Sequence, residues 1–375
     1  MKSPVRCALL VVVGLTGLFL PRAGVAQLTV VETLRIGGPD DGPYLFSDIR
    51  GLAPGSNGSI FVLDYRTQEI RLFDSQGRFV KRVARRGNGP GEISNANGLL
   101  LAPNGEVWVN DPQNARWTVF SPAGEFVRQH IMLILSYGYI WDAMIDPSGV
   151  IYDPVSVPSA GGKYRNVVRR VRANGQVIDS LPARECEQRG TGDRPTVFEA
   201  RSKTGSRVSD IPFLPSPVSA WDRRGFIWCS SRDRYEVIQI RAQRGDTVRR
   251  VTLDAAPFPV SKAERDSAVE RIRTSFTKMG APEPDYSRIP TVKPAIITID
   301  VDDRGRLWVR RTTADSRRTT FDLWEERATR PVTVTAPWRL SRYFRPIFRG
   351  DTILTWALDE DDVPFVVRGV MKRSP

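Results

Sequence analysis

Histidine is almost absent from this chain: His130 is the only one in 375 residues. A site that needs several imidazoles is excluded, and so are metal centres built from His/Cys clusters. A Ser-His-Asp arrangement would have to use His130. Its setting, Phe126-Val-Arg-Gln-His-Ile-Met-Leu-Ile, reads as a strand tail leading to a loop, with no nucleophile-elbow pattern beside it. Cysteine is scarce too, with three residues. Cys186 and Cys229 are available for one disulfide in an oxidising compartment; alternatively Cys229, standing where other repeats carry Val, is simply core. Beyond residue 28 there is no apolar run long enough to cross a bilayer as a helix. Lysine supplies only eight of the 55 basic residues, and no Lys/Arg-rich run with interleaved aromatics marks a specific nucleic-acid track.

The start of the chain has the pattern of an export signal. Lys2 and Arg6 give a positive beginning, Cys7 to Leu20 is an apolar stretch, and Gly24-Val25-Ala26 offers small residues for cleavage before Gln27. The stretch is short for a retained anchor, and a lipid-modified cysteine would follow it rather than open it as Cys7 does. The expectation is a leader over residues 1–26 and a mature chain over 27–375 in the periplasm or outside the cell. Net charge is +13, and the leader's Lys2, Arg6 and Arg22 account for three of it, leaving +10. A basic surface favours anionic partners, although arginine-rich composition also arises from GC-rich coding without any selection for binding.

A repeated unit dominates the remainder. A turn glycine is followed by a short strand with an aromatic third residue: Gly58-Ser-Ile-Phe61, Gly105-Glu-Val-Trp108, Gly149-Val-Ile-Tyr152, Gly225-Phe-Ile-Trp228 and Gly305-Arg-Leu-Trp308, with a degenerate sixth copy at Gly350-Asp-Thr-Ile353. Polar turns precede each glycine, which supplies the positive φ of a hairpin. An apolar strand lies upstream and two more follow, giving four strands per unit. A recurring unit of about 40 to 50 residues signals a propeller or a solenoid. In a ring, the aromatic series fills the spaces between blades. The last copy holds only about three strands, and Leu28–Ile36 is an unpaired strand at the mature N-terminus, so pairing them completes a sixth blade. Two segments interrupt the period: 184–216, read as a long loop within its Arg, Gly, Ser and Thr, and 256–292. In the second, Ser261 and Glu264 form a capping box and Val269, Ile272, Phe276 and Met279 make an apolar stripe.

The units Asn57–Gly77 and Asn104–Phe120, with the loop Arg86-Gly-Asn-Gly-Pro-Gly-Glu92, resemble NHL-type repeats of exported bacterial six-bladed β-propeller proteins. The resemblance implies an all-β ring of six blades forming a single domain, with one short helical insertion. Its motifs are structural, and the family includes binding modules as well as lyases and lactonases, so function must be argued from residues.

Gly87-Asn-Gly-Pro-Gly91 lacks the lysine and following helix of a phosphate loop and reads as a shaped turn, with Glu92 either bonding its backbone or facing a ligand. Loops after the second strand of each unit share a face with both insertions. They carry Asp64, Arg66, Asn110, Asp111, Asn114, Arg232, Asp233, Arg310 and Arg311. Such a set suits a hard cation such as Ca²⁺ or clamps a carboxylate or phosphate through arginine. The sequence therefore predicts a noncatalytic binding or scaffolding propeller that engages a ligand or protein partner, anionic by charge, on the loop-rich face. The alternative is a Ca²⁺-dependent hydrolase or lactonase at the axial mouth.

Overall fold

The computed structural model describes residues 27–38, 42–132, 140–159, 164–182, 196–202, 205–215, 218–230, 234–242, 244–341 and 343–373. The expected leader, Cys186, Arg232 and Asp233 lie outside the described residues. Among those residues the chain is mostly β, and no helix is long and apolar enough to cross a membrane.

Four sheets are separate four-stranded meanders whose spatial order follows the chain. The first consists of Ile49–Pro54, Ile60–Asp64, Glu69–Phe73 and Phe79–Ala84, and the second of Gly98–Leu101, Val107–Asp111, Arg116–Phe120 and Phe126–Ile131. The third runs Met144–Ile145, Ile151–Pro158, Tyr164–Val171 and Val177–Pro182, and the fourth Ser219–Asp222, Phe226–Ser230, Glu236–Arg241 and Thr247–Thr252. A fifth group, Ile296–Val301, Leu307–Arg311, Thr319–Trp324 and Val332–Ala336, repeats the order. In the sixth, Arg339–Leu340 and Ile347–Arg349 both pair with Thr352–Leu358, which pairs with Pro364–Arg373.

The N-terminal strand Gln27–Ile36 lies antiparallel to Pro364–Arg373, with Leu28 opposite Arg373 and Ile36 opposite Val366. Its first residues also run parallel to Thr333–Thr335 of the fifth group. Fifth and sixth groups are thereby joined into one nine-stranded sheet, where the repeats predict two separate blades. The leading end of this ten-residue strand, Gln27 to Thr29, reaches a second edge, that of the five-residue Val332–Ala336.

Each sheet packs on the next through apolar side chains. One core joins first and second sheets, another the second and the start of the third, a third the fourth and fifth, and a fourth the fifth and sixth. Leu181 of the third sheet packs on the fourth, and the sixth packs on the first through Leu354, Val366, Ile60 and Phe73. Phe61, Trp108, Trp228 and Trp308 of the repeated aromatic series are at most 1% exposed, and Trp308 stacks on Phe348 of the adjoining group at 4.1 Å. Where leading strands meet, glycine is required. A Cβ on Gly51 would lie 2.6 Å from Leu99 Cγ, and one on Gly98 2.5 Å from Trp141 Cβ.

The segment expected to be a long loop at 184–216 contains a hairpin, Val197–Ser202 with Gly205–Asp210. Its alternation is mostly polar, which hides the strand signal. Its anchor is Phe198, which packs with Ile211, Ile272, Phe276 and Ile289. Ile272, Phe276 and Ile289 belong to the other insertion, where helix α1 (Lys262–Thr277) starts at Ser261 with both bonds of the expected capping box in place. The two insertions therefore share a small core of their own.

Candidate functional site

The residues singled out in the loops mostly spend their polar atoms on the fold. Asp64 is fully buried and accepts from the backbone N–H groups of Ser47 (3.1 Å), Asp48 (3.3 Å) and Arg66 (3.1 Å). Asp111 repeats this in the second sheet, accepting from Ser94 and Asn95 N–H at 3.1 and 3.0 Å and from the Asn114 amide at 2.7 Å. Asn110 bridges Asn97 and the Trp117 indole N–H. Arg310 donates to the carbonyls of Leu340 and Ser341, and Arg311 pairs with buried Asp322 at 3.2 Å. Arg66 is the exposed member of the set. These placements follow from burial: a loop reversing at a sheet edge has backbone donors to satisfy, and a short side chain at the strand end reaches them.

The glycine-rich connection is also held from within. The Glu92 carboxylate accepts from Gly89 N–H at 3.0 Å and pairs with Arg85, and these contacts hold it below the usual carboxylate range. Arg116 reaches in from the second sheet and donates to the carbonyls of Asn88, Gly89 and Glu92. Arg71 does the same for Pro43 and Leu45 before the first sheet. His130 stacks flat on Trp108 at 5.2 Å, and burial followed by the Arg128 charge lowers its pKa. Cys229 is buried and disulfide-bonded.

A different set of charges converges on one cavity of about 140 Å³. Asp142 precedes the third sheet, Asp300 lies on the leading strand of the fifth, and Arg345 precedes Ile347–Arg349 of the sixth. Arg345 Nε is 2.7 Å from Asp142 Oδ1, its Nη1 is 3.8 Å from Asp300 Oδ1, and its Nη2 donates at 2.6 Å to the Ser219 carbonyl of the fourth sheet. One guanidinium thus ties together four consecutive sheets. Asp142 and Arg345 keep 46% and 38% of their side-chain surface open to the recess, whereas Asp300 keeps 6%. Burial pushes the carboxyls of both aspartates up, against the attraction of Arg345, and Asp300, repelled also by Asp142, reaches about 6.

Tyr152 and Trp221, with rings 6.3 Å apart, and Arg223 complete the walls that matter chemically. Arg223 and Asp302 come from turns that follow leading strands, so the cavity reaches that end of the sheets. The loop residues Asp64, Asn110, Asp111, Arg310 and Arg311 stand at the other end of their second strands. Sequence reasoning missed Asp142 and Arg345, which sit in irregular connections without spacing. Asp300 left one signal: a carboxylate inside the apolar strand Ile296-Ile-Thr-Ile-Asp-Val, where an ionised group needs a reason. Among the described residues no three His, Cys, Asp or Glu side chains group to hold a metal.

Residues 45–127 match a family described as a 6-bladed beta-propeller. No curated protein matches the chain. A Bacteroides fragilis protein described as exported has a similar solved structure, with a TM-score of 0.50 at 10% identity over 93% of this chain and 96% of that one. At that identity the likeness concerns the fold alone. Other solved structures are a member of a Bacteroides vulgatus family of unknown function (TM-score 0.46, 10% identity, 93% of this chain and 100% of that one) and virginiamycin B lyase from Staphylococcus aureus (TM-score 0.45, 12% identity, 92% and 99%).

Proposed function

We propose that the chain is an exported six-bladed propeller, closed through its N-terminal strand, that works as a noncatalytic binding module and holds a small, neutral, hydroxyl-rich ligand in the cavity at Asp142, Asp300 and Arg345. The observation that carries this reading is the convergence of ionisable side chains from three sheets on one recess, while the buried loop residues are committed to bonds within the fold. Asp142 and Asp300 are balanced by Arg345 and Arg223, and the third carboxylate of the wall, Asp302, is paired with Arg306, so a ligand of strong charge meets repulsion from part of the wall. Hydroxyl groups donate to carboxylates and accept from guanidinium groups, and Tyr152 and Trp221 offer apolar faces to a ring. The volume equals about five waters at ~30 Å³ each, enough for one small ring or the end of a longer ligand.

A second reading rests on the Asp300 carboxyl at about 6, a value suited to proton transfer near neutral pH. It makes the same recess an acid–base site. The Ca²⁺-dependent alternative draws less support, because a cation there would have to displace Arg345 from Asp142.

The test is a thermal-shift panel of neutral monosaccharides, dicarboxylates, diamines and CaCl₂ at millimolar concentration on the parent, Arg345→Gln and Arg66→Ala. A monosaccharide should raise the melting temperature of the parent and of Arg66→Ala, and fail to do so with Arg345→Gln. Stabilisation by only the charged compounds or by CaCl₂, or an unchanged monosaccharide response in Arg345→Gln, would reject the reading. Appearance of reaction product from a stabilising sugar would move the assignment to the acid–base site.

A further inference from the structure

A second and larger cavity, of about 330 Å³, lies at the seam between the sixth and first sheets. Its walls are apolar: Pro54 and Ile60 from the first sheet face Ile347, Leu354 and Val370 from the sixth. A recess of this size, with apolar walls and few polar groups, is within the range of small-molecule sites. Two arginines line it, and they differ in what they do. Arg368 donates at 3.1 Å to the Ser75 carbonyl and holds the seam together. Arg349 makes no side-chain hydrogen bond and no ion pair within 4 Å among the described residues.

The environment of Arg349 is unfavourable to its own charge. Burial comes first and the guanidinium of Arg223 second in lowering its pKa, with Asp303 only partly offsetting them. Arg349 is exposed, so the chain holds an open guanidinium at the rim of an apolar recess, beside another cation and without a carboxylate in contact. Two neighbouring guanidinium groups repel each other, and an anion arriving at the rim would relieve that repulsion. Arginine is also the side chain whose planar fork matches a carboxylate through two hydrogen bonds.

We propose that this seam is a binding site for a small organic carboxylate with an apolar body, its chain seated against the partly exposed Pro54, Ile347 and Val370 and its carboxylate on Arg349. The site is separate from the cavity at Asp142 and stands or falls independently of it. An apolar body without the charge would fill the same walls but leave Arg349 unpaired. A bare anion such as acetate would pair with the arginine but bury little surface.

Isothermal titration of the full chain with octanoate, 1-octanol and acetate tests this. Octanoate should bind at least about tenfold more tightly than 1-octanol, the worth of one charge-assisted pair, and acetate should bind more weakly than either. Arg349→Gln should abolish the preference for octanoate while leaving 1-octanol binding unchanged, and Arg349→Lys should recover part of it. Thr352→Trp, which fills the recess from a partly exposed position, should remove both ligands, with circular dichroism verifying its fold. Equal affinity for octanoate and 1-octanol, no binding of either, or an unchanged ratio in Arg349→Gln would each overturn the proposal.

Discussion

Asp300 shows how a single residue can mark a site at the expense of the fold. Its carboxyl is raised from an ordinary 3.8 to about 6. An acid whose folded value lies above its unfolded one binds its proton more tightly when folded. Stability is then unaffected below about pH 3.8, falls as pH rises to about 6, and stays lower above that. The shift corresponds to a cost on the order of 3 kcal/mol at pH 7. Asp300→Asn should therefore be the more stable protein at neutral pH, with its advantage over the parent growing between pH 4 and 6.5 and then levelling. Urea unfolding of both proteins across this window measures it, and a difference that does not vary with pH would refute the assignment of the raised carboxyl to Asp300. Glu264, held down to about 2 chiefly by Lys293, acts in the opposite sense, but it is common to both proteins and cancels in the comparison.

At the scale of elements, the repeat was readable because it is a consequence of geometry. A turn glycine and a strand with an inward apolar residue, aromatic in five of the six copies, recur because each four-stranded unit packs on the next in the same way. Phe61, Trp108, Trp228 and Trp308 thus declared their burial in advance. The capping box of α1 was legible for a similar reason, since Ser261 and Glu264 satisfy donors that any helix start leaves open. The hairpin at Val197–Asp210 was not, because its single deeply buried anchor, Phe198, pairs with a helix more than sixty residues away in sequence. Nor was the meeting of Asp142, Asp300 and Arg345, which depends on where two connections and one strand come together in space. The shared core of the two insertions predicts separable behaviour. Phe276→Ala, in a position with no exposure, should cost about 3–5 kcal/mol within that core. Hydrogen exchange should speed up in α1 and the hairpin and stay unchanged in the strands of the first and second sheets. Uniform loss of protection across both regions would show that the insertions are continuous with the main core.

For the whole molecule the decisive element is Gln27–Ile36. It pairs along nearly all of Pro364–Arg373 and touches the edge of Val332–Ala336 as well, so it is both the outer strand of the last group and the tie to the one before. Val30 and Ile36 are 4% and 1% exposed, and burying two such side chains stabilises by about 1.5–3 kcal/mol each. The ladder adds to this, and together they are a large part of the ~5–15 kcal/mol that keeps a domain folded. Deleting residues 27–36 should lower the melting temperature by at least about 10 °C and leave Pro364–Arg373 as an unpaired edge prone to self-association. A synthetic peptide of residues 27–37 supplied to the truncated chain should restore much of the loss, because the vacated edge still presents the register that pairs Leu28 with Arg373 and Ile36 with Val366. Ile36→Asp in that peptide should prevent the rescue, since it carries a charge into a buried position. If the truncated chain melted with the parent, the strand would be an accessory to a fold held by other contacts.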